Sequence, residues 1–258
     1  MHFTDAQIAA WIGGFVWPWI RIGALLITAP LFANLQVPVR VRILFSLALA
    51  VAVMPAVGPV PAVDLLSVEA ALIGAQELLA GMLLGLVLAM AFQAAAIAGE
   101  TIGLNMGLGF ATMVDPQSGM TLPVISQFLV IVASLLFLSL GGHLILIELL
   151  AESFRSLPVG GVGLARHDFL GVAAFASQMF AGGVLLALPA VAVLLVVQLA
   201  MGVMTRAAPQ MNIFSVGFPV TMLVGFLALL LLVLPVLQPR LMELWGQAFG
   251  AARRLLGG

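Results

Sequence analysis

The chain has 258 residues, of which 64% are hydrophobic and 7% are charged, and its formal net charge is −1. A typical soluble domain has about 25% charged residues, so this composition excludes an ordinary soluble protein. It predicts an integral membrane protein or a permanent part of a membrane-embedded assembly. The balanced charge gives no reason to expect nucleic acid as a partner. Cysteine is absent, which excludes disulfides and thiolate metal sites.

Long apolar blocks follow one another along the chain and predict an all-α protein with about six long, kinked hydrophobic helices. The blocks cover about 8–32, 41–57, 70–98, 124–147, 169–204 and 213–237. Pro189 lies near the middle of the fifth block and predicts a kink there, because a proline removes one helical hydrogen bond. We expect Pro235 and Pro239 to end the sixth block, and the residues beyond them to form an amphipathic end helix.

Two charged residues lie within the apolar blocks, Arg21 in the first and Glu77 in the third. An arginine at the centre of a lipid-facing helix costs roughly 2.5–3.5 kcal/mol on insertion scales. Arg21 therefore either snorkels to the membrane surface or pairs with a carboxylate. Glu77, Glu100 and a residue of another chain are the alternatives. We interpret Glu77 as an interfacial or paired residue and not as a proton carrier.

Glycines recur at a spacing of four, at Gly99, Gly103 and Gly107 and also at Gly81 and Gly85. On a helix this spacing places the glycines on one face, where a second backbone can approach closely. The spacing predicts two sites of close helix packing.

The stretch from Gly99 to Pro123 loses its helical pattern after Gly107. Gly109, Gly119 and the pair Asp115-Pro116 interrupt it, although it stays apolar. Irregular apolar backbone at membrane depth persists only where protein covers it or where it lines a cavity. The residues leave two interpretations open, a loop on the bilayer surface or a segment packed inside an assembly that closes a passage.

Motifs of catalysis are absent from the sequence: it has no lysine, no phosphate-binding loop and no Gly-x-Ser-x-Gly elbow. The histidines, His2, His143 and His167, are never at metal-ligand spacing. We therefore expect no catalytic residue, no metal and no cofactor. Two classes remain, a small multi-pass solute transporter or channel and a structural gate subunit, for which the 13 methionines offer adaptable packing.

Several short motifs occur in an order that resembles one family. They are Trp17-Pro18-x-x-Arg21, Ala29-Pro30, Val37-Pro38-x-Arg40, Gly99-Glu100-x-x-Gly103-x-x-x-Gly107, Phe110-Ala111-Thr112, Asp115-Pro116, Gly142-His143-Leu144, Leu157-Pro158-Val159-Gly160, Arg206-Ala207-Ala208-Pro209-Gln210-Met211-Asn212-Ile213-Phe214 and Gly217-Phe218-Pro219. Over essentially its full length the chain resembles the FliR family of type III protein export gate subunits. The ending Gly217-Phe218-Pro219 is similar to the flagellar members rather than to those of injectisomes.

The resemblance implies a core subunit of a helical hetero-oligomeric export gate in the inner membrane, at the flagellar basal body. Its partners would be the P and Q subunits, a B-type switch subunit and unfolded flagellar proteins in transit. About 1–165 would be P-like and about 166–258 Q-like, with the helices arranged in tilted hairpins. An injectisome gate subunit is the alternative, and a solute transporter a more distant one.

The resemblance also implies a loop at about 106–122 that plugs the closed channel. The residues we assign to this plug are Met106, Gly107, Leu108, Gly109, Phe110, Met113 and Val114. We assign Gly81, Gly85, Gly99, Gly103 and Gly107 to helix packing. The intramembrane polar residues assigned to assembly are Arg21, Glu77, Glu100 and Arg206.

Overall fold

The structure is a computed structural model that describes residues 5–33, 37–64, 67–109, 124–161, 163–208 and 213–256. The regular structure of these residues is helical. The α-helices are α1 (Asp5–Thr28), α2 (Val39–Val53), α3 (Val68–Asn105), α4 (Val124–Ser139), α5 (Gly142–Ser156), α6 (Arg166–Ala207), α7 (Ile213–Ala228) and α8 (Leu234–Leu255). Among the described residues, five helical segments are long and apolar enough to cross a membrane, or six if α4 and α5 form one bent span. The prediction of an all-α membrane protein is confirmed.

The fourth apolar block is divided into two helices. α4 and α5 meet at an angle of 69°. Gly141 lies between them with φ +75°, in the left-handed region that glycine adopts without steric cost. The apolar run continues through this point, so its length alone gives no sign of the bend.

The prediction that Pro235 and Pro239 end the sixth block is wrong, because α8 continues through both. A π-helical turn, Leu229–Val233, joins α7 to α8, and the N–H of Leu234 bonds to the carbonyl of Leu229. A π-turn shifts the hydrogen-bond register by one residue, so it accommodates a proline, which has no N–H to donate. Past the prolines α8 is amphipathic as expected, with Leu241 and Trp245 buried and Arg240 exposed.

The chain divides into two compact units that alternate along the sequence. Unit 1 comprises Met1–Met90, Leu138–Ala176 and Gly246–Gly258, and unit 2 comprises Ala91–Phe137 and Ser177–Trp245. The predicted division at about residue 165 differs from these two units, because it separates the chain into two consecutive parts. It stays a prediction.

In unit 1, α3 packs closely on α1 through two glycines. A Cβ at Gly81 would collide with the carbonyl oxygen of Arg21, and one at Gly85 would collide with the hydroxyl of Thr28. Neither position leaves room for a side chain. These glycines bring the backbone of α3 against α1, and thereby bring Glu77 of α3 to the level of Arg21.

In unit 2, α3 packs closely on α4. A Cβ at Gly99 would collide with the Cα atom of Ser126, and the Ser126 hydroxyl donates to the Ala96 carbonyl at 2.8 Å. Two turns earlier on α3, Phe92 forms an aromatic cluster with Phe137 and Trp245, with ring centroids 5.2–5.5 Å apart. The glycine therefore sets the distance between α3 and α4 near the point where α3 ends.

We expect Gly99→Val to destabilise the protein, because the valine forces two backbones apart. Overpacking of this kind costs about 1–3 kcal/mol. Gly171→Val is the matched control, since Gly171 is also helical and a Cβ there meets no atom within 4 Å. Thermal unfolding of the detergent-purified variants measures the difference. Equal melting temperatures for the two variants would contradict the close packing at Gly99.

Candidate functional site

The C-terminal end of α3 is closed by a Schellman motif, in unit 2. The N–H of Leu108 donates to the Gly103 carbonyl at 3.0 Å, and the N–H of Gly107 donates to the Leu104 carbonyl at 3.0 Å. Gly107 has φ +86°, as the residue after the cap of this motif requires. Gly107 therefore ends the helix instead of extending the glycine face of Gly99 and Gly103.

The side chain of Met106 is fully buried against α7. A Cβ added to Gly225 of α7 would lie 2.5 Å from Met106 Cγ, so the methionine occupies the space that the glycine leaves. Two turns earlier on the same helix, the ring of Phe218 lies 2.5 Å from the position of a Cβ at Gly107. The two glycines and the two larger side chains thus interlock.

Polar contacts from α6 and α7 complete the end of α3. Gln198 Nε2 of α6 donates to the Asn105 carbonyl at 2.9 Å. The hydroxyl of Thr221 lies 3.4 Å from the Met106 carbonyl oxygen and also bonds within its own helix, to Gly217 and Phe218. We call this arrangement the α3 anchor: residues Gly103–Gly107 held by Gln198, Phe218, Thr221 and Gly225. It fixes the position and direction in which the chain leaves α3.

Four of the residues assigned to the plug, Met106, Gly107, Leu108 and Gly109, belong to the described part of the chain. Met106 and Gly107 belong to the α3 anchor, while Leu108 and Gly109 follow it and are half-buried. The remaining assigned residues, Phe110, Met113 and Val114, lie outside the described residues.

A second polar cluster lies in unit 1 around Arg21, which is 1% exposed. Its Nε and Nη2 atoms donate to the two carboxylate oxygens of Glu77 at 2.7 and 2.9 Å. Sequence alone left several partners open for Arg21, and the structure pairs it with Glu77. This bidentate geometry is the strongest that an arginine and a carboxylate form.

The remaining donors of Arg21 cap the end of α5. Nη1 donates to the Ser153 carbonyl at 2.8 Å, and Nη2 donates to the Leu157 carbonyl at 2.8 Å. The guanidinium carbon also lies 4.3 Å from the centre of the Phe154 ring. The Ser153 carbonyl also accepts the N–H of Leu157 at 2.9 Å, so Arg21 adds a second hydrogen bond there. It also supplies a donor to the Leu157 carbonyl just beyond the helix, and Glu77 balances its charge.

Glu100 and Arg206 are exposed in unit 2. Neither makes an ion pair or hydrogen bond within the described ranges. In the same ranges, no group of histidine and carboxylate side chains is arranged to hold a metal ion. The geometry of the described residues consists of an anchor for the end of α3 and of contacts between helices.

Sequence analysis missed Ser153, Gln198, Phe218, Thr221 and Gly225. Each acts through a neighbour that is distant in sequence, so no local spacing identifies it. The motif Gly217-Phe218-Pro219 marks the family, but by itself it assigns no contact to Phe218.

Comparison with known proteins supplies the family. The profile of "Bacterial export proteins, family 1" matches residues 12–248. The chain belongs to the FliR family. It is 39% identical to the flagellar biosynthetic protein FliR of Escherichia coli strain K12, over 96% of this chain and 95% of that protein. It is 41% identical to the FliR of Pectobacterium carotovorum, over 96% and 95%, and 34% identical to that of Bacillus subtilis, over 84% of each.

Removing one member of the Arg21–Glu77 pair should destabilise the protein strongly. Arg21→Met leaves a buried carboxylate, and Glu77→Leu leaves a buried guanidinium. Breaking a buried pair in this way costs about 3–5 kcal/mol, whereas replacing both members often costs far less. Thermal unfolding of the single and double variants measures the coupling. If the two single costs simply add in the double variant, the ion pair does not couple these residues.

Proposed function

We propose that this chain is a core subunit of the flagellar type III protein export gate in the bacterial inner membrane. Support comes from the ordered motifs, from the relatives that are flagellar biosynthetic FliR proteins and from the long apolar helices. In this role the chain joins P and Q subunits and a B-type switch subunit. Together these subunits form the passage for unfolded flagellar proteins.

The assembly is supported by how much apolar helix the chain leaves uncovered. Only 28% of the most apolar 18-residue stretch of α6 is buried within the chain, and the share is the same for the most apolar 18-residue stretch of Ser215–Leu255. Lipid or other subunits must cover these faces. The glycine contacts at Gly81, Gly85 and Gly99 are made within the chain, so partner subunits pack on other surfaces.

In the gating role, the α3 anchor holds the start of the plug in place. A plug at 106–122 needs a fixed root, and the fully buried Met106 and the left-handed Gly107 provide one. The segment that follows is apolar and rich in methionine and glycine. An apolar constriction excludes ions because it offers no polar groups to replace the hydration shell of an ion. Methionine and glycine are flexible, so they adapt to varied substrates.

Deleting Phe110–Val114 should leave the complex assembled but make the membrane permeable to small ions and solutes. The deletion removes apolar bulk from the plug and keeps the α3 anchor. Conductance of the reconstituted complex measures the leak, and co-purification with the P and Q subunits measures assembly. A variant with a Gly/Ser run of equal length at 110–114 is the matched control for chain length, and it should leak as well. Normal assembly together with unchanged conductance in both variants would refute the plug.

A larger side chain at position 225, which is not part of the plug sequence, should disturb the plug. Gly225→Leu displaces Met106, so we expect leakage without any change in residues 107–122. Adding Met106→Ala returns the lost space, and the double variant should conduct less than Gly225→Leu alone. Conductance of the reconstituted complexes compares the two. A double variant that leaks as much as the single variant, or a single variant that stays closed, would show that the α3 anchor does not position the plug.

A further inference from the structure

The π-turn between α7 and α8, Leu229–Val233, has its two end residues buried in unit 2. The three leucines between them are 39–69% exposed. The N–H of Leu234 bonds to the Leu229 carbonyl, five residues back, so the turn holds one residue more than an α-helical turn. Isolated π-turns within α-helices occur frequently at functional sites.

The extra residue keeps the buried faces of α7 and α8 in line. Buried residues recur every four positions through this region, at Gly225, Leu229, Val233, Leu237 and Leu241. An α-helix repeats every 3.6 residues, so a spacing of four rotates the buried face by roughly 40° at each step. One additional residue in a π-turn offsets this drift by about 100°. The turn therefore lets Gly225 reach the α3 anchor while Leu241 stays in the core of unit 2.

The helices on the two sides of the turn are held differently. On the α8 side, Leu237 and Leu241 are fully buried, and the Trp245 ring lies 5.5 and 5.2 Å from the rings of Phe92 and Phe137. On the α7 side, the leucines and the phenylalanine that flank Gly225 are exposed: Leu223, Phe226 and Leu227. α8 is thus part of the core of unit 2, whereas α7 lies at its surface.

We propose that the π-turn is a joint about which α7 moves away from α3 when the gate opens, while α8 stays in place. This proposal rests on the proposed function, since it concerns the opening of an export gate. Helices bend sharply at π-turns and at prolines. Pro235 follows the turn directly and has no N–H to donate. Bending here therefore disrupts fewer backbone hydrogen bonds than bending an unbroken α-helix.

Movement of α7 releases the root of the plug. It withdraws Gly225 from the side chain of Met106 and the Phe218 ring from Gly107. The hydroxyl of Thr221 leaves the Met106 carbonyl oxygen, from which it is 3.4 Å away, but keeps its bonds to carbonyls of its own helix. The separation thus gives up apolar contacts and one long hydrogen bond.

A disulfide between α7 and the α3 anchor tests the movement, since the chain has no cysteine of its own. Met106 Cγ lies 2.5 Å from the Cβ position at Gly225, so the two Cβ atoms are within about 4 Å, the separation that a disulfide requires. The Met106→Cys/Gly225→Cys chain replaces the wild-type chain in cells, copper phenanthroline oxidises it, and secretion of flagellar proteins is measured. We expect oxidation to lower secretion roughly tenfold or more, because a required movement is blocked, and a reductant to restore it.

Gly182→Cys/Leu244→Cys is the matched control, in which the disulfide joins α6 to α8. Leu244 Cγ lies 3.3 Å from the Cβ position at Gly182. Neither helix moves in the proposed opening, so oxidation of this pair should leave most of the secretion. Equal secretion by the oxidised and the reduced Met106→Cys/Gly225→Cys chain, with the disulfide verified by mass spectrometry, would overturn the proposal. An equal loss in the control pair, or failure of the first disulfide to form, would overturn it as well.

The joint itself is tested without changing the α3 anchor. Deletion of Leu231 together with Pro235→Ala removes the extra residue and the proline, and so makes the helix continuous with both buried faces in place. We expect normal recovery of the partner subunits and closed-state conductance, but secretion lowered roughly tenfold because the helix is stiffer. Leu231→Ala/Pro235→Ala, which keeps the length and the turn, is the matched control and should secrete nearly as well as the wild type.

Secretion by the deletion variant at the rate of this control, or loss of its assembly, would contradict the joint. If the wild-type chain supports no secretion of flagellar proteins in cells that lack their own copy, the proposed function itself fails. Normal wild-type secretion that neither the disulfide nor the deletion lowers removes only the joint.

Discussion

The structure depends on satisfying the carbonyl groups at helix ends that lie among apolar residues. Water is scarce at such places, and each unsatisfied backbone group costs several kcal/mol. In the part of the chain that the structure describes, two polar groupings meet this requirement. Arg21 caps the end of α5 through the carbonyls of Ser153 and Leu157. The α3 anchor closes the end of α3 with a Schellman turn and the amide of Gln198.

The two helix ends are satisfied by different chemistry. At α5 the donor is an arginine, whose charge requires the buried carboxylate of Glu77 beside it. At α3 the donors are neutral, so no compensating charge is needed near the start of the proposed plug. A neutral anchor suits a passage that must exclude ions when closed, because a fixed charge at the constriction would attract counterions. The buried Met106 adds the apolar contact that fixes the anchor against α7.

Sequence reasoning found the helical class and most helix positions because long apolar runs have few alternatives. It also identified Arg21 and Glu77 as residues that need partners, since a charge in an apolar block is costly. It could not choose among the possible partners, because α1 and α3 meet through packing at Gly81 and Gly85. The bend at Gly141 and the π-turn before Pro235 were missed for a similar reason, as each is a backbone adjustment within an unbroken apolar run. Gln198, Thr221 and Gly225 lie about a hundred residues from the helix end that they hold, and no motif links them to it.

The most direct test of the central claim is amide hydrogen exchange across the end of α3 in the assembled complex. The amides of Gly107 and Leu108 bond to Leu104 and Gly103. Peptides that cover 103–108 should therefore exchange as slowly as the interior of α3, and Gly107→Ala should abolish this protection. Exchange of these peptides at the rate of an unstructured chain in the wild-type complex would show that α3 has no fixed end and that the plug has no anchored root.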